Sequence, residues 1–308
     1  MRGGLVGGVC FILPGLILIL ALAALFLGAH PPLWIRGAAM GAGAAVPAVA
    51  LRTATQLGLA SVARVRRRRF AVVRWSLYAA LGAVATVLVP TFLVIVIVAC
   101  GAVEIVFTST ANSSGKRLGV MVTSAVVHVS ALGTIGALAW VAFKVGALSY
   151  GGGFVIVPLM QHDVVTTYHW MSGSRFLDAV VLGQVTPGPV VLTVSAVGYA
   201  AKGIAGALLA TLIAFSPSFA FVLVGAGRFD ALRANATVGA FLAGAGPCVI
   251  GAIAGSSIPL GLLLQRLWQV PVLVGAALWL LLARRSSLGA LLLAGLAGVG
   301  VVLIQAHA

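Results

Sequence analysis

Apolar runs of membrane-spanning length recur along the whole of this 308-residue chain, at 9–28, 88–107, 120–148, 204–225 and 288–304. Each approaches or exceeds the roughly 20 residues that an α-helix needs to cross a bilayer core. A soluble fold would set polar faces between and along such runs, and these runs have none. Hydrophobic residues make up 62% of the chain and charged ones 7%, against about 25% charged in soluble domains. The 39 Gly suit helices that approach one another through small residues inside a membrane. The expected fold is an all-α integral membrane protein.

The net charge is +15, a value that invites comparison with nucleic-acid binders. The positive residues fall between the apolar runs, however: Arg64, Arg66, Arg67, Arg68 and Arg69, then Arg74, Lys116, Arg117, Arg284 and Arg285. That placement follows the positive-inside rule, predicts cytoplasmic loops beside lipid headgroups, and argues against a nucleic-acid partner. Cys10, Cys100 and Cys248 are far apart, lie within apolar runs and form no CxxC or CxxH spacing, so they read as small core residues, with no metal site and no disulfide. Arg2 leads directly into a span-length segment, so no signal peptide is expected.

Runs and breakers together divide the chain into about ten membrane segments, near 8–28, 36–58, 70–88, 90–107, 118–149, 176–200, 203–226, 232–256, 258–284 and 288–305, several of them broken. Pro90 separates two of them, and Gln265-Arg266 interrupts another. Internal repetition is informative. Gly3 precedes Pro14 by eleven residues, as Gly206 precedes Pro217, at an offset of 203. Ala45-Val46-Pro47-Ala48-Val49 parallels Ala245-Gly246-Pro247-Cys248-Val249 at an offset of 200. The expected organisation is a truncated N-terminal transporter half at 1–107, a polar linker at 108–117, and a C-terminal transporter half at 118–308. The counterpart of 118–202 would lie upstream of Met1. Duplicated halves are common in secondary transporters, with the substrate site at the repeat interface.

The densest chemical signal lies between 143 and 219. Gly151, Gly152 and Gly153 interrupt an apolar stretch, and read either as a tight helix crossing or as a broken helix whose N–H groups face an anion. Thr186-Pro187-Gly188-Pro189, just after Gln184, stops a helix and restarts it within four residues. The N–H groups beyond Pro189 would carry the positive end of the new helix dipole. The two interruptions could face each other as one anion cradle. Lys144 lies within an apolar segment and reads as a functional cation or as a side chain snorkelling to the interface. Asp178 reads equally as a functional acid or a helix-start residue, His162 and Asp163 could carry protons, Glu104 reads as interfacial, and Arg175 and Lys202 as segment ends.

These motifs, in order, are Lys144, Tyr150-Gly151-Gly152-Gly153-Phe154, Pro158-Leu159, Phe176-Leu177-Asp178-Ala179, Gly183-Gln184-Val185-Thr186-Pro187-Gly188-Pro189, Gly198-Tyr199, Gly206-Ala207 and Phe215-Ser216-Pro217-Ser218-Phe219. Their order and spacing resemble the C-terminal half of the chromate ion transporters of the long, two-domain type, and Gly3-Gly4 through Pro14 looks like the corresponding part of the N-terminal half. The resemblance implies a bacterial inner-membrane protein that exports chromate and confers resistance to it. Long members carry Phe-Gly-Gly-Pro and Pro-Gly-Pro elements in their N-terminal half, and neither occurs within residues 1–107 here. Short members work as paired chains, so a homodimer is among the expected states.

The expected mechanism is alternating access without a cofactor. Chromate would be held by Gly151, Gly152, Gly153, Gln184, Thr186, Pro187, Gly188 and Pro189 with Lys144 nearby, and Asp163 and Asp178 would serve proton coupling. Another oxyanion such as sulfate, or a non-transporting membrane subunit, are the alternatives. No HExxH, GxSxG or nucleotide-binding GxxxxGK[ST] motif points to an enzyme.

Overall fold

The computed structural model describes residues 2–28, 31–65, 69–111, 133–149, 156–225 and 234–307. Eleven α-helices run through them: α1 (Arg2–Phe26), α2 (Leu33–Val65), α3 (Arg69–Leu88), α4 (Leu93–Ala111), α5 (Thr134–Leu148), α6 (Ile156–Gln161), α7 (Gly173–Val185), α8 (Thr193–Gly225), α9 (Ala236–Leu262), α10 (Gln269–Ala277) and α11 (Ser287–His307). Most are apolar all round, as helices surrounded by lipid or by other helices must be. Seven spans among the described residues are long and apolar enough to cross a membrane, from Val6–Phe26 to Ser287–His307. The chain is a multi-pass membrane protein.

The differences from the ten expected segments have local causes. The 176–200 segment is two short helices, α7 and the start of α8. The 258–284 segment is split after Leu262, and its second part, Gln269–Leu282, is a shorter apolar helix ending in a π-turn at Leu278–Leu282. The break at Pro90 is a 3-10 turn, Pro90–Phe92, between α3 and α4. Helix α4 continues to Ala111 and so takes in the start of the expected linker.

Two helices form the central axis. In α2 and α9 the apolar windows are 72% and 56% buried, against 28% or less in the other five spans. Helix α2 packs mainly along α11, and α9 along α3 and α4. Small residues permit these approaches: a Cβ on Gly41 would fall on the Ala294 carbonyl, and one on Gly251 on the Ala79 carbonyl. In lipid, association rests on close packing, so such contacts take the place of a water-driven core. Large apolar side chains such as Leu212, Leu262 and Leu296 face outward.

Arg52, Arg74 and Glu104 within this frame are paired or bonded. Arg52 lies partway along α2 and donates to the carbonyls of Leu280 and Arg284, where the π-turn ends and backbone acceptors are free. Glu104 is buried against neighbouring helices: it accepts from Tyr78 Oη at 3.0 Å and pairs with Arg74 Nη2 at 3.1 Å. The reason is that Gly244 of α9 brings that helix against the Glu104 stem and closes it in. Cys10 is exposed rather than core, because α1 packs through its Gly8 and Gly15 face.

Gly251→Leu should therefore cost about 1–3 kcal/mol or more from overpacking against α3. Gly239 on the same helix has open space around it, and Gly239→Ala should be neutral or slightly stabilising. Thermal unfolding of the purified variants in detergent measures both.

Candidate functional site

The Thr186–Pro189 interruption is the turn of a hairpin of short helices, and α1 serves as the ruler that locates it. Helix α8 folds back at Lys202 (φ −151°, ψ 27°) and Gly203 (φ 62°, ψ −153°), where glycine tolerates the positive φ. Ser195 Oγ then meets Thr211 Oγ1 at 2.7 Å, although a straight helix would hold them about 24 Å apart. The short limb, 193–201, thus lies against the long limb, 204–225. The long limb runs antiparallel to α1, with Phe219 against Gly8 and Leu192, level with Ala214, against Gly15. Its start is therefore at the Phe26 end of α1, where α7 also begins.

From that end α7 runs inward for 13 residues, about 20 Å, too short to cross a bilayer core of about 30 Å. The chain then turns at 186–189 and returns through a 3-10 turn, Val190–Leu192, and the short limb. Gly183 lies against Thr193, which brings the two arms together. The turn rests on the middle of α1: a Cβ on Gly15 would sit 2.7 Å from the Pro187 carbonyl, and Gly188 (φ 139°) is close to Gly15 Cα. The middle of the candidate span Val6–Phe26 is thus the depth of the break.

This turn holds unused hydrogen-bonding groups. Thr186 is 5% exposed, and among the described residues neither its Oγ1 nor the buried Gln184 Nε2 has a partner. Buried polar atoms without partners are uncommon, and each costs about 1–3 kcal/mol. Pro189 provides no side-chain cap for the returning helix, and the first N–H groups of that helix have no intrahelical acceptor. An amide, a hydroxyl and a positive helix end follow one another along 184–190, where lipid offers none of these, and such groups are suited to binding an anion without covalent chemistry. Gly151, Gly152 and Gly153 lie outside the described residues.

The other expected site residues fall elsewhere. Lys144 on α5 forms an ion pair with Asp163, their side chains 16% and 17% exposed. Asp163 stands in a π-turn, His162–Thr167, that follows α6, and its neighbour His162 bonds Thr91 through Nε2 at 3.1 Å. Helix α5 packs on α8 and α6, with Gly146 against Ala214 of the long limb. Asp178 lines a cavity of about 440 Å³ where α2 and α7 begin, together with Arg36, Ser174, Arg175 and Gln265. Sequence reasoning had not singled out Gly15 or Arg36. The signal for Gly15 was its place directly after Pro14 inside an apolar span. Arg36 offered none beyond being a charge close to the start of a long apolar helix.

Breaking the Lys144–Asp163 pair from one side leaves a mostly buried charge. Lys144→Met or Asp163→Asn alone should lower stability by about 3 kcal/mol. The double variant should recover part of that loss, and a double-mutant cycle of thermal unfolding should give a coupling of at least about 1 kcal/mol. Purely additive losses would show that the pair contributes no interaction.

Residues 136–300 match the chromate transporter family. The chain is 33% identical to the chromate transport protein of Cupriavidus metallidurans and 30% identical to that of Pseudomonas aeruginosa, in each case over 84% of this chain and 64% of the relative. It is 27% identical to the probable chromate transport protein of Synechococcus elongatus, over 84% of this chain and 66% of the relative. The chain thus spans slightly less than two thirds of the length of these relatives. No solved structure matches it. With its family match extending over more than half of its length, the chain belongs to the chromate transporter family.

Proposed function

We propose that this chain moves chromate out of the cytoplasm across the inner membrane by alternating access, and so confers chromate resistance. The observation that carries this reading is the 186–189 turn against the middle of α1, with Thr186 Oγ1 and Gln184 Nε2 unpartnered among the described residues. A tetrahedral dianion accepts hydrogen bonds at all four oxygens, and the hydroxyl, the amide and the N–H groups after Pro189 supply donors. Substrate sites near the bilayer midplane, formed by interrupted helices, are what secondary transporters use. An inside-negative potential favours dianion exit by about 4.6 kcal/mol per 100 mV, twice the single-charge value. Lys144 is the cation of this reading, held in an ion pair with Asp163 that substrate or a proton would have to open, and Asp163 and Asp178 are the carboxylates available for proton coupling.

Two homologous halves, 1–107 and 118–308 joined by 108–117, support the same reading. Helix α2 of the first packs on α10 and α11 of the second, and α9 of the second packs on α3 and α4 of the first. This exchange is reciprocal, as expected of related halves around one site. Sulfate remains a second substrate reading, because a hydroxyl, an amide and backbone donors separate two tetrahedral dianions poorly.

Chromate accumulation in a sensitive bacterial host tests the proposal. Cells expressing the chain should accumulate less than vector controls. At equal membrane abundance Thr186→Val should weaken export about tenfold, near the ~1.5 kcal/mol of one hydrogen bond to a charged group. Undiminished export by Thr186→Val would remove the cradle. Accumulation equal to vector would remove chromate export by this chain, and strong inhibition by equimolar sulfate would favour the second substrate.

A further inference from the structure

The geometry points to a second oxyanion site, in the cavity formed by the starts of α2 and α7 and the turn between α9 and α10, where Arg36 and Arg175 hold a free tetrahedral dianion of the sulfate or chromate class. The inference rests on the reading of the chain as an oxyanion carrier, and it concerns a place other than the mid-depth turn.

The cavity encloses about 440 Å³, space for roughly 15 waters at about 30 Å³ each. A tetrahedral dianion fits there with part of its hydration shell. Two guanidiniums and one carboxylate, Asp178, are its charged lining among the described residues, so the lining favours an anion. Neither Arg36 nor Arg175 has a carboxylate within 4 Å among the described residues, where Arg74 and Lys144 both do. Guanidiniums without a direct carboxylate contact offer planar pairs of donors suited to tetrahedral oxyanions. Asp178 lies close to α2, its Oδ1 4.0 Å from where a Cβ on Gly43 would stand.

Gln269 explains why the cavity persists rather than collapsing. Its Oε1 accepts from the N–H groups of Gln265 and Arg266 at 2.9 and 3.0 Å, and its Nε2 donates to the Met40 carbonyl at 2.9 Å. The 263–269 turn is thereby tied to α2, and the Ser174 hydroxyl and the Gln265 amide line the space that remains. Helix α7 leads directly from this cavity, at its first turn, to the mid-depth turn at its last. Helix α2 extends from the cavity for about 50 Å to the arginine-rich stretch at 64–69. With that stretch cytoplasmic, the cavity opens on the opposite face, where an exported ion leaves.

The same chemistry could be met by a lipid phosphate, and the experiment separates the two sources. Ser174→Cys is introduced with Cys10→Ala, since Cys100 and Cys248 are buried, and the protein is placed in nanodiscs of phosphatidylcholine. Alkylation by N-ethylmaleimide is timed in sodium sulfate or sodium molybdate and in sodium chloride of equal ionic strength. Sulfate and molybdate should slow the reaction at least fivefold. Arg36→Gln and Arg175→Gln should abolish that protection with an unchanged melting temperature, and Arg36→Lys should keep part of it. Protection that survives both glutamine variants overturns the assignment. So does slowing that requires phosphatidylglycerol and ignores sulfate. No protection by either anion, with chromate export intact in cells, overturns the second site and leaves the transport reading standing. Protection without export keeps the site and removes that reading.

Discussion

Each backbone N–H and C=O carried into hydrocarbon needs a partner from the protein, and the architecture of this chain depends on that requirement. It is why the apolar runs are helices, and why the places where a helix stops inside the structure are so few and so constrained. At Lys202–Gly203 the reversal lies at the end of a short limb. At 186–189 the break is surrounded by α1, α7 and α8, with glycine at both sides of the closest approach. A break with two prolines removes donors as well as helical bonds, which lowers the number of groups that must be satisfied. What remains, on Thr186, Gln184 and the start of the returning helix, is the polar chemistry that survives at that depth.

Close packing takes the place of the hydrophobic effect between these helices. The central pair, α2 and α9, is rich in Gly and Ala, and its neighbours come near enough for a Cβ to strike backbone carbonyls. The buried charges follow from this geometry. Glu104 can sit inside because Tyr78 and Arg74 reach it and Gly244 lets α9 cover it. Arg52 can sit along α2 because the π-turn at Leu278–Leu282 leaves carbonyls for it. Glu104, Arg52, Lys144 and Asp163 each have a partner that comes from a different element.

Much of the helix pattern was legible in the chain, since Pro90, Lys202 and the 186–189 interruption are local features whose effect on a helix does not depend on neighbours. The site was legible only in part. Thr186-Pro187-Gly188-Pro189 announces a break, but not that α7 and the short limb would be arms of one hairpin, nor that Gly15 would support its tip. Lys144 and Asp163 are 19 residues apart, and their pairing depends on the π-turn after α6, which has no periodic signature. The partners of Glu104 were not legible, because position within an apolar run says nothing about which helix covers it.

By itself the sequence determined that this chain lies in a membrane, that it is helical, and where its helices must stop. Those outcomes follow from run length, from backbone donors and from proline, all properties of a short stretch of chain in a given solvent. Tertiary structure alone decided the depth of the 186–189 turn, the pairing of Lys144 with Asp163, and the gathering of Arg36, Arg175 and Asp178 around one cavity. These depend on which helices pack together, and that is settled by glycine contacts between segments far apart in the chain.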